Sequence, residues 1–216
     1  MALNLNIEVI ALKVLMINGS PHKEGCTYTA LKEIEKELLK LEIETEIVHI
    51  GAQPIRGCIG CDKCNNGRCV FDDDIVNRLL EKAESADAYI FGSPVHYAGA
   101  SGGLTCVLDR FFYAGKNHAY KPGAAILSCR RGGATAAFDQ LNKYFTIKNM
   151  PIVSSQYWNM VHGNTPEEVL QDGEGLQIMR TLGKNMGWLL RCIEAGKNSG
   201  VSLPEKEKQI VTNFIR

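Results

Sequence analysis

The sequence predicts an α/β fold: a parallel sheet covered by helices on both faces. Three observations carry this. Branched apolar runs and segments of helical period alternate along the chain five times, as strand–helix units do. The runs are apolar throughout rather than every second residue, which suits strands buried on both faces. Three of the strands end in loops of small residues, Gly19 to Thr27, Ser93 to Gly103 and Ser128 to Gly133. Ligands of such sheets bind at the carboxyl ends of the strands, where glycine lets the backbone come close.

The first unit is the one most open to a chemical reading. Leu12, Val14, Leu15, Met16 and Ile17 form a strand, and the composition then breaks into Asn18 to Gly25. Thr27 opens a helix in which Ala30, Leu31, Ile34, Leu38 and Leu41 recur at helical spacing. A strand, a short loop and a helix in that order put unpaired N–H groups at the positive end of a helix dipole, where an anion binds. Five residues separate Gly19 from Gly25 and Cys26 follows, so this is not a nucleoside-triphosphate loop, and G-x-G-x-x-G is absent. Ser20, Lys23 and Thr27, with His22, place hydroxyls and a cation around a compact phosphate monoester such as that of FMN.

The other elements follow in order. Residues 1–11, MALNLNIEVIA, read as an N-terminal extension, an added strand or a leader. The second strand is Glu44 to His49, and a polar connection from Ile50 to Phe71 carries four cysteines. Asp72, Asp73 and Asp74 supply an N-cap for a helix with Ile75, Leu79, Leu80 and Ala83 facing inward. The third strand is Ala88 to Phe91, ending at Gly92-Ser93-Pro94, and the loop Val95 to Gly103 leads into a helix, Leu104 to Tyr113. Ala124 to Ser128 is the fourth strand, Arg130 to Gly133 a loop, Ala134 to Phe145 a helix, and Ile152 to Ser155 the fifth strand. A polar loop with Trp158 and His162 leads to a last long helix burying Leu176, Met179, Leu182, Met186, Leu189 and Ile193. The domain runs over 12–197. A tail over 198–216 can form a helix and dock through Ile210, Val211, Phe214 and Ile215.

Bulk properties exclude some partners. Lys plus Arg equals Asp plus Glu at 24 each, so no basic field faces nucleic acid. Glu8 and Lys13 interrupt the first apolar residues, so neither a signal peptide nor a membrane helix is expected. A cytoplasmic protein follows, and in a reducing compartment eight cysteines are thiols or ligands rather than disulfides.

The second feature is Cys58-x2-Cys61-x2-Cys64-x4-Cys69. At a period of three the side chains would spread around a helix, so the run reads as a loop wrapping a ligand, with Gly57, Gly60 and Gly67 to allow it. Four thiolates at this density suit a 4Fe–4S cluster, whose negative charge Arg56, Lys63 and Arg68 could offset. Zinc, which favours two separated ligand pairs, and free thiols stay open as alternatives. Cys26 and Cys129, in the ligand loops, could react with oxidants, whereas Cys106 and Cys192 fall in helices and read as core.

GSPHKEGCT after the first strand, GSPVHYAGASG after the third and Leu108-Asp109-Arg110 beyond it resemble the FMN-dependent NAD(P)H oxidoreductases of the flavodoxin-like superfold, from Leu12 to about Lys197. The resemblance implies a three-layer sandwich with a five-stranded parallel sheet in order 2-1-3-4-5, assembled as a homodimer or homotetramer. It implies that Ser20, His22, Lys23, Gly25, Cys26 and Thr27 hold the FMN phosphate. Pro94, Val95, His96 and Tyr97 would lie against the flavin ring, and Ser128, Arg130, Gly132 and Gly133 would meet its pyrimidine edge. The cysteine motif is similar to that of iron–sulfur flavoproteins, a resemblance that implies Cys58, Cys61, Cys64 and Cys69 as the metal ligands.

Roles within this frame can be argued physically. Reduced flavin carries negative charge near N1, so Arg130 or Arg131 would favour it. His96 and Tyr97 either stack on the ring or pack at an oligomer interface, and Trp158 and His162 either reach a neighbouring subunit's pocket or pack as a loop. Asp109 and Arg110 read as a structural ion pair. The first functional expectation is a reductase that takes hydride from NAD(P)H through FMN to a quinone, a nitro or azo compound, free flavin or a protein acceptor. The second is a protein that exchanges electrons with ferredoxin through FMN and a 4Fe–4S cluster. The third is a thiol-based sensor without FMN. No acid–base triad is expected, and the chain offers none.

Overall fold

The computed structural model describes residues 11–215, so the extension expected over 1–11 lies, but for Ala11, outside the described residues. Six strands and six helices follow in chain order: β1 (Lys13–Asn18), α1 (Cys26–Leu39), β2 (Glu44–His49), α2 (Val76–Glu84), β3 (Ala88–His96), β4 (Gly99–Ala100), α3 (Gly102–Ala114), β5 (Gly123–Cys129), α4 (Ala134–Ile147), β6 (Met160–His162), α5 (Pro166–Val169) and α6 (Gly173–Asn198). The sheet runs β2-β1-β3-β5-β6, all parallel, with β4 hairpinned antiparallel onto the end of β3. Counting the parallel strands alone, this is the order 2-1-3-4-5 of a flavodoxin-like sandwich.

The two helical layers follow from the alternation of side chains along buried strands. Leu15 and Ile17 of β1 point to one side, where they join Leu79 and Leu80 of α2, Leu104, Leu108 and Phe111 of α3, and Leu141 and Phe145 of α4. Val14 and Met16 point to the other, against Leu31, Ile34 and Leu38 of α1 and Met179, Leu182 and Met186 of α6. Because both faces are covered, an apolar run with no alternation is what β1 needs. The carboxyl ends of β1, β3 and β5 lie side by side, so their loops converge. Gly19 N–H donates to the Gly92 carbonyl at 2.8 Å, tying the first two loops together as they leave the sheet.

The sheet's far edge departs from the sequence reading. Ile152 to Ser155 is not the fifth strand: it makes a single bridge, Ile152 with Gly123 at the start of β5, and then leaves the sheet. Pairing resumes at Met160–His162, opposite Leu127–Cys129. Buried Asn159 bridges the gap: its Nδ2 donates to the Ala125 carbonyl at 3.1 Å and its own carbonyl accepts from Leu127 N–H at 2.9 Å. The edge strand is thus broken in two, and the part that shapes the loop ends is the later one. β3 also runs on past Phe91 to His96, where the expected loop is a tight hairpin whose two turn residues, Tyr97 (φ 50°) and Ala98 (φ 58°), carry the positive φ of a type I′ turn. The three aspartates do not share one cap. Asp74 accepts from Val76 N–H at 3.1 Å, while Asp73 pairs with Arg56 and Asp72 with Arg68. Residues 201–215 hold no helix or strand, and Ile210, Val211, Phe214 and Ile215 are exposed rather than docked.

Candidate functional site

The loop after β1 is folded over a fully buried asparagine. Asn18 Oδ1 accepts from Ser20 N–H at 3.1 Å and its Nδ2 donates to the Lys23 carbonyl at 2.9 Å, while Ser20 Oγ accepts from His22 N–H at 3.1 Å. His49 Nε2 meets the Ser20 carbonyl at 2.8 Å from β2. Gly25 stands at the N-cap of α1, no side chain caps the helix, and its first turn holds no acid. A 14-residue helix therefore presents open N–H groups and an uncompensated positive end to this loop. Thr27, at the second helical position, shares a 2.8 Å hydrogen bond with Ser128 at the end of β5, so the first and third loops are joined through hydroxyls. This is a fit for a phosphate monoester: hydroxyls and backbone donors without a carboxylate.

A cavity of about 260 Å³ opens there, lined by Ser20, His22, Cys26, Thr27, Pro94, Val95, His96, Ser128, Cys129, Arg130, Gly163 and Asn164. Most of the predicted positions thus meet at one place. Lys23 and Gly25 lie beside it without lining it, Arg131 and Gly132 are exposed outside it, and Tyr97 stands fully exposed at the hairpin tip. Gly133 acts at a distance, since it starts α4 at φ +92° with a Cβ position only 2.7 Å from Ala98 Cα, which lets the third loop press against the hairpin. Gly163 and Asn164, after β6, escape sequence reading because the fifth strand is placed too early. The signal is present as a glycine and an asparagine directly after an apolar run. Cys26 donates to the Gly163 carbonyl at 3.7 Å, fixing that loop against α1.

Burial pushes the Cys26 thiol up, with Glu168 and Glu167 adding to it, and burial pushes Cys129 up as well. Both are thereby held further toward the thiol than a free cysteine, which favours oxidation less than a lowered pKa would. Of the two helical cysteines read as core, Cys192 is exposed and Cys106 is half-buried, near Gly57.

A second cavity of about 200 Å³ shares His96 with the first and is lined by Gly19, Pro21, Ile50, Ile55 and Ser101, so it leads from the phosphate-loop side to the start of the cysteine connection. Asp62 (φ 53°), Gly60 (φ 60°), Asn66 (φ 48°) and Gly67 (φ 79°) turn that connection back on itself, and an Asn65–Arg68 bridge closes its tip. Cys58 is exposed and Cys61, Cys64 and Cys69 are half-buried. The Cys64 thiol is pushed up by burial and then by Cys69, Cys61 and Cys58. Among the described residues no three His, Cys, Asp or Glu side chains are gathered at metal-binding distance. The donor set, four thiols in one glycine-turned loop, fits an iron–sulfur cluster.

The cations around this loop are arranged otherwise than expected. Arg56 is engaged by Asp73, and Arg68 by Asp72 and Glu81. Arg110 does not pair with Asp109, which accepts from Tyr144 at 2.5 Å; its partner is Asp74. Buried Asn77 holds the end of the loop through Cys69, accepting from its N–H at 2.8 Å and donating to its carbonyl at 3.0 Å. No described helix is long and apolar enough to cross a membrane.

Residues 12–165 match the model of the family described as NADPH-dependent FMN reductase. An iron–sulfur flavoprotein of Methanocaldococcus jannaschii is 32% identical over 193 residues, covering 85% of this chain and all of the relative. One of Archaeoglobus fulgidus is 34% identical over 175 residues, covering 78% of this chain and 86% of the relative. Among solved structures, RosB, with a bound 8-demethyl-8-formylriboflavin 5'-phosphate intermediate, superposes with a TM-score of 0.67 at 16% identity, over 95% of this chain and 94% of that one. A flavodoxin from the domain Archaea gives a TM-score of 0.58 at 14% identity over 83% and 99%. The chain therefore belongs to the NADPH-dependent FMN reductase family, flavin-dependent oxidoreductases on a flavodoxin-like fold, and it carries a cysteine motif like that of iron–sulfur flavoproteins.

Proposed function

We propose that the chain is itself an iron–sulfur flavoprotein, with FMN in the cavity at the ends of β1, β3 and β5 and a 4Fe–4S cluster on Cys58, Cys61, Cys64 and Cys69. It passes electrons between a reductant and a protein acceptor such as ferredoxin. The reading is carried by the motif Cys58-x2-Cys61-x2-Cys64-x4-Cys69, held in one glycine-turned connection whose beginning, at Ile50 and Ile55, lines a cavity sharing His96 with the flavin site. Bound FMN supplies one- and two-electron chemistry and the cluster one-electron steps. The protein's part is to bind and tune. Ser20, Thr27 and the first-turn N–H groups of α1 receive the phosphate, with Lys23 adding positive charge and His22 a ring nitrogen from the same loop. Pro94, Val95, His96, Ser128, Cys129 and Arg130 line the same cavity and would hold the ring, where Arg130 would favour the negative, reduced form. Gly163 and Asn164 line it as well.

The family's description favours a second reading, direct reduction by NADH or NADPH with a small-molecule acceptor. The exposed Arg130, at the cavity, and Arg131, beside it, suit a phosphorylated nicotinamide donor. Anaerobic mixing with NADH, NADPH or reduced ferredoxin, followed at the flavin band, separates the two. Bleaching by ferredoxin alone supports the first; rapid bleaching by NAD(P)H moves the function to the second. Exposed Tyr97, Trp158 and Trp188 suit a homodimer or homotetramer that covers them, and sedimentation of the holoprotein tests that assembly.

A further inference from the structure

Arg110 is one of the largest fully buried side chains, 1% exposed in the middle of α3. A buried guanidinium costs several kcal/mol unless every donor is met, and here every contact goes to one place. Its Nη1 pairs with the Asp74 carboxylate and donates to the Arg56 carbonyl at 3.1 Å. Its Nη2 donates to the Phe71 carbonyl at 3.1 Å, and its Cζ lies over the Phe71 ring, 5.3 Å from the centroid. Its Nε donates to Cys69 Sγ at 3.2 Å. Arg56 stands two residues before Cys58, and Phe71 two residues after Cys69. One planar fork therefore ties together both ends of the thiol loop and touches one of its sulfurs, which a lysine's single ammonium cannot reproduce.

We propose that Arg110 is the positioning residue of the iron–sulfur site: it closes the Cys58 to Cys69 loop and, through its N–H bond to Cys69 Sγ, raises the reduction potential of the cluster held there. This rests on the reading of that loop as a 4Fe–4S site. An N–H donor to a ligand sulfur stabilises the extra negative charge of the reduced cluster and so favours reduction. Asp74 neutralises the guanidinium as a whole, which leaves the Nε–H dipole aimed at the sulfur as the local effect.

The test uses the full chain, purified without oxygen and reconstituted with ferrous iron and sulfide. Arg110→Lys and the charge-matched pair Arg110→Gln with Asp74→Asn are compared with the parent by iron and FMN content and by an EPR-monitored titration with dithionite. Both variants should retain FMN. At the parent's midpoint potential their oxidised-to-reduced ratio should be at least tenfold higher, which is about 59 mV for a one-electron couple. An unchanged potential in chains that hold FMN overturns the role of Arg110 alone. A parent chain that takes up no iron overturns the cluster reading, and this proposal with it. Should the variants not fold, the parent still decides: labelled with guanidino-15N arginine and reduced by dithionite, it should show 15N coupling to the cluster in pulsed EPR. That coupling should survive Arg56→Lys and Arg68→Lys, and its absence overturns the contact.

Discussion

Thr27 and Ser128 come from loops a hundred residues apart in sequence, yet their hydroxyls meet at 2.8 Å. Each holds the other where a phosphate would sit, with Ser20 Oγ beside them in the same cavity. Replacing Ser20 and Thr27 together by alanine should weaken FMN binding by about a hundredfold or more, as hydrogen bonds to a charged group are worth roughly 1.5–3 kcal/mol each. Fluorescence titration of the apoprotein measures this, and unchanged affinity would remove the phosphate from this loop. These hydroxyls were legible in the sequence because a strand, a small-residue loop and a helix announce themselves locally. The partner of Arg110 was not, since Asp74 lies 36 residues away and Asp109 stands next to it. Adjacency along a helix points side chains apart, and only the fold brings α2 to α3.

Elements are held to the site by close packing that the sequence shows only as glycine. Gly92 of β3 faces α1 so closely that a Cβ would stand 2.8 Å from Thr27 Cγ2 and 3.2 Å from Leu31 Cδ1. Gly92→Ala should cost about 1–3 kcal/mol in denaturant unfolding and lower FMN affinity by shifting Thr27, as overpacking of a filled interior does. A loss of stability without any loss of affinity would show that the helix moves as a whole and Thr27 does not matter. The junction after α3 carries a different device. His118 is buried against Phe111, Phe112 and Tyr89, and burial, reinforced by Lys148 and Lys121, lowers its pKa to about 4. Between pH 6.5 and 4 the unfolded chain then binds a proton that the folded one refuses, so stability falls as pH falls through this window. The loss is on the order of 3 kcal/mol at one pKa unit per 1.4 kcal/mol. His118→Gln should flatten that slope, and an equal slope in both chains would mean that carboxylates alone set acid stability. The elements themselves were readable from period and composition, except at the sheet's edge. There Ile152 to Ser155 looks like a strand because branched residues do, but the ladder needs Asn159 to restart it, and nothing local signals that.

At the scale of the whole molecule, parallel strands gather the ends of β1, β3 and β5 into one cavity, and the first residues of the connection between β2 and α2, Ile50 and Ile55, line a neighbouring groove that shares His96. Balanced charge, 24 basic against 24 acidic residues, gives no long-range field, so docking of an electron-transfer partner should depend on local contacts and change only modestly with salt. Stopped-flow reduction by ferredoxin between low and high ionic strength checks this; a rate falling by orders of magnitude would reveal a charged patch that net charge hides. On this reading one chain carries both a flavin and a cluster. The measurement that bears on it most directly is an absorbance spectrum, with iron and flavin quantified, on protein purified without oxygen and without added cofactors. The predicted result is about one FMN and about four irons per chain, with a broad iron–sulfur shoulder beneath the flavin bands. Flavin without iron would contradict it, leaving the cysteines a thiol loop on an FMN reductase.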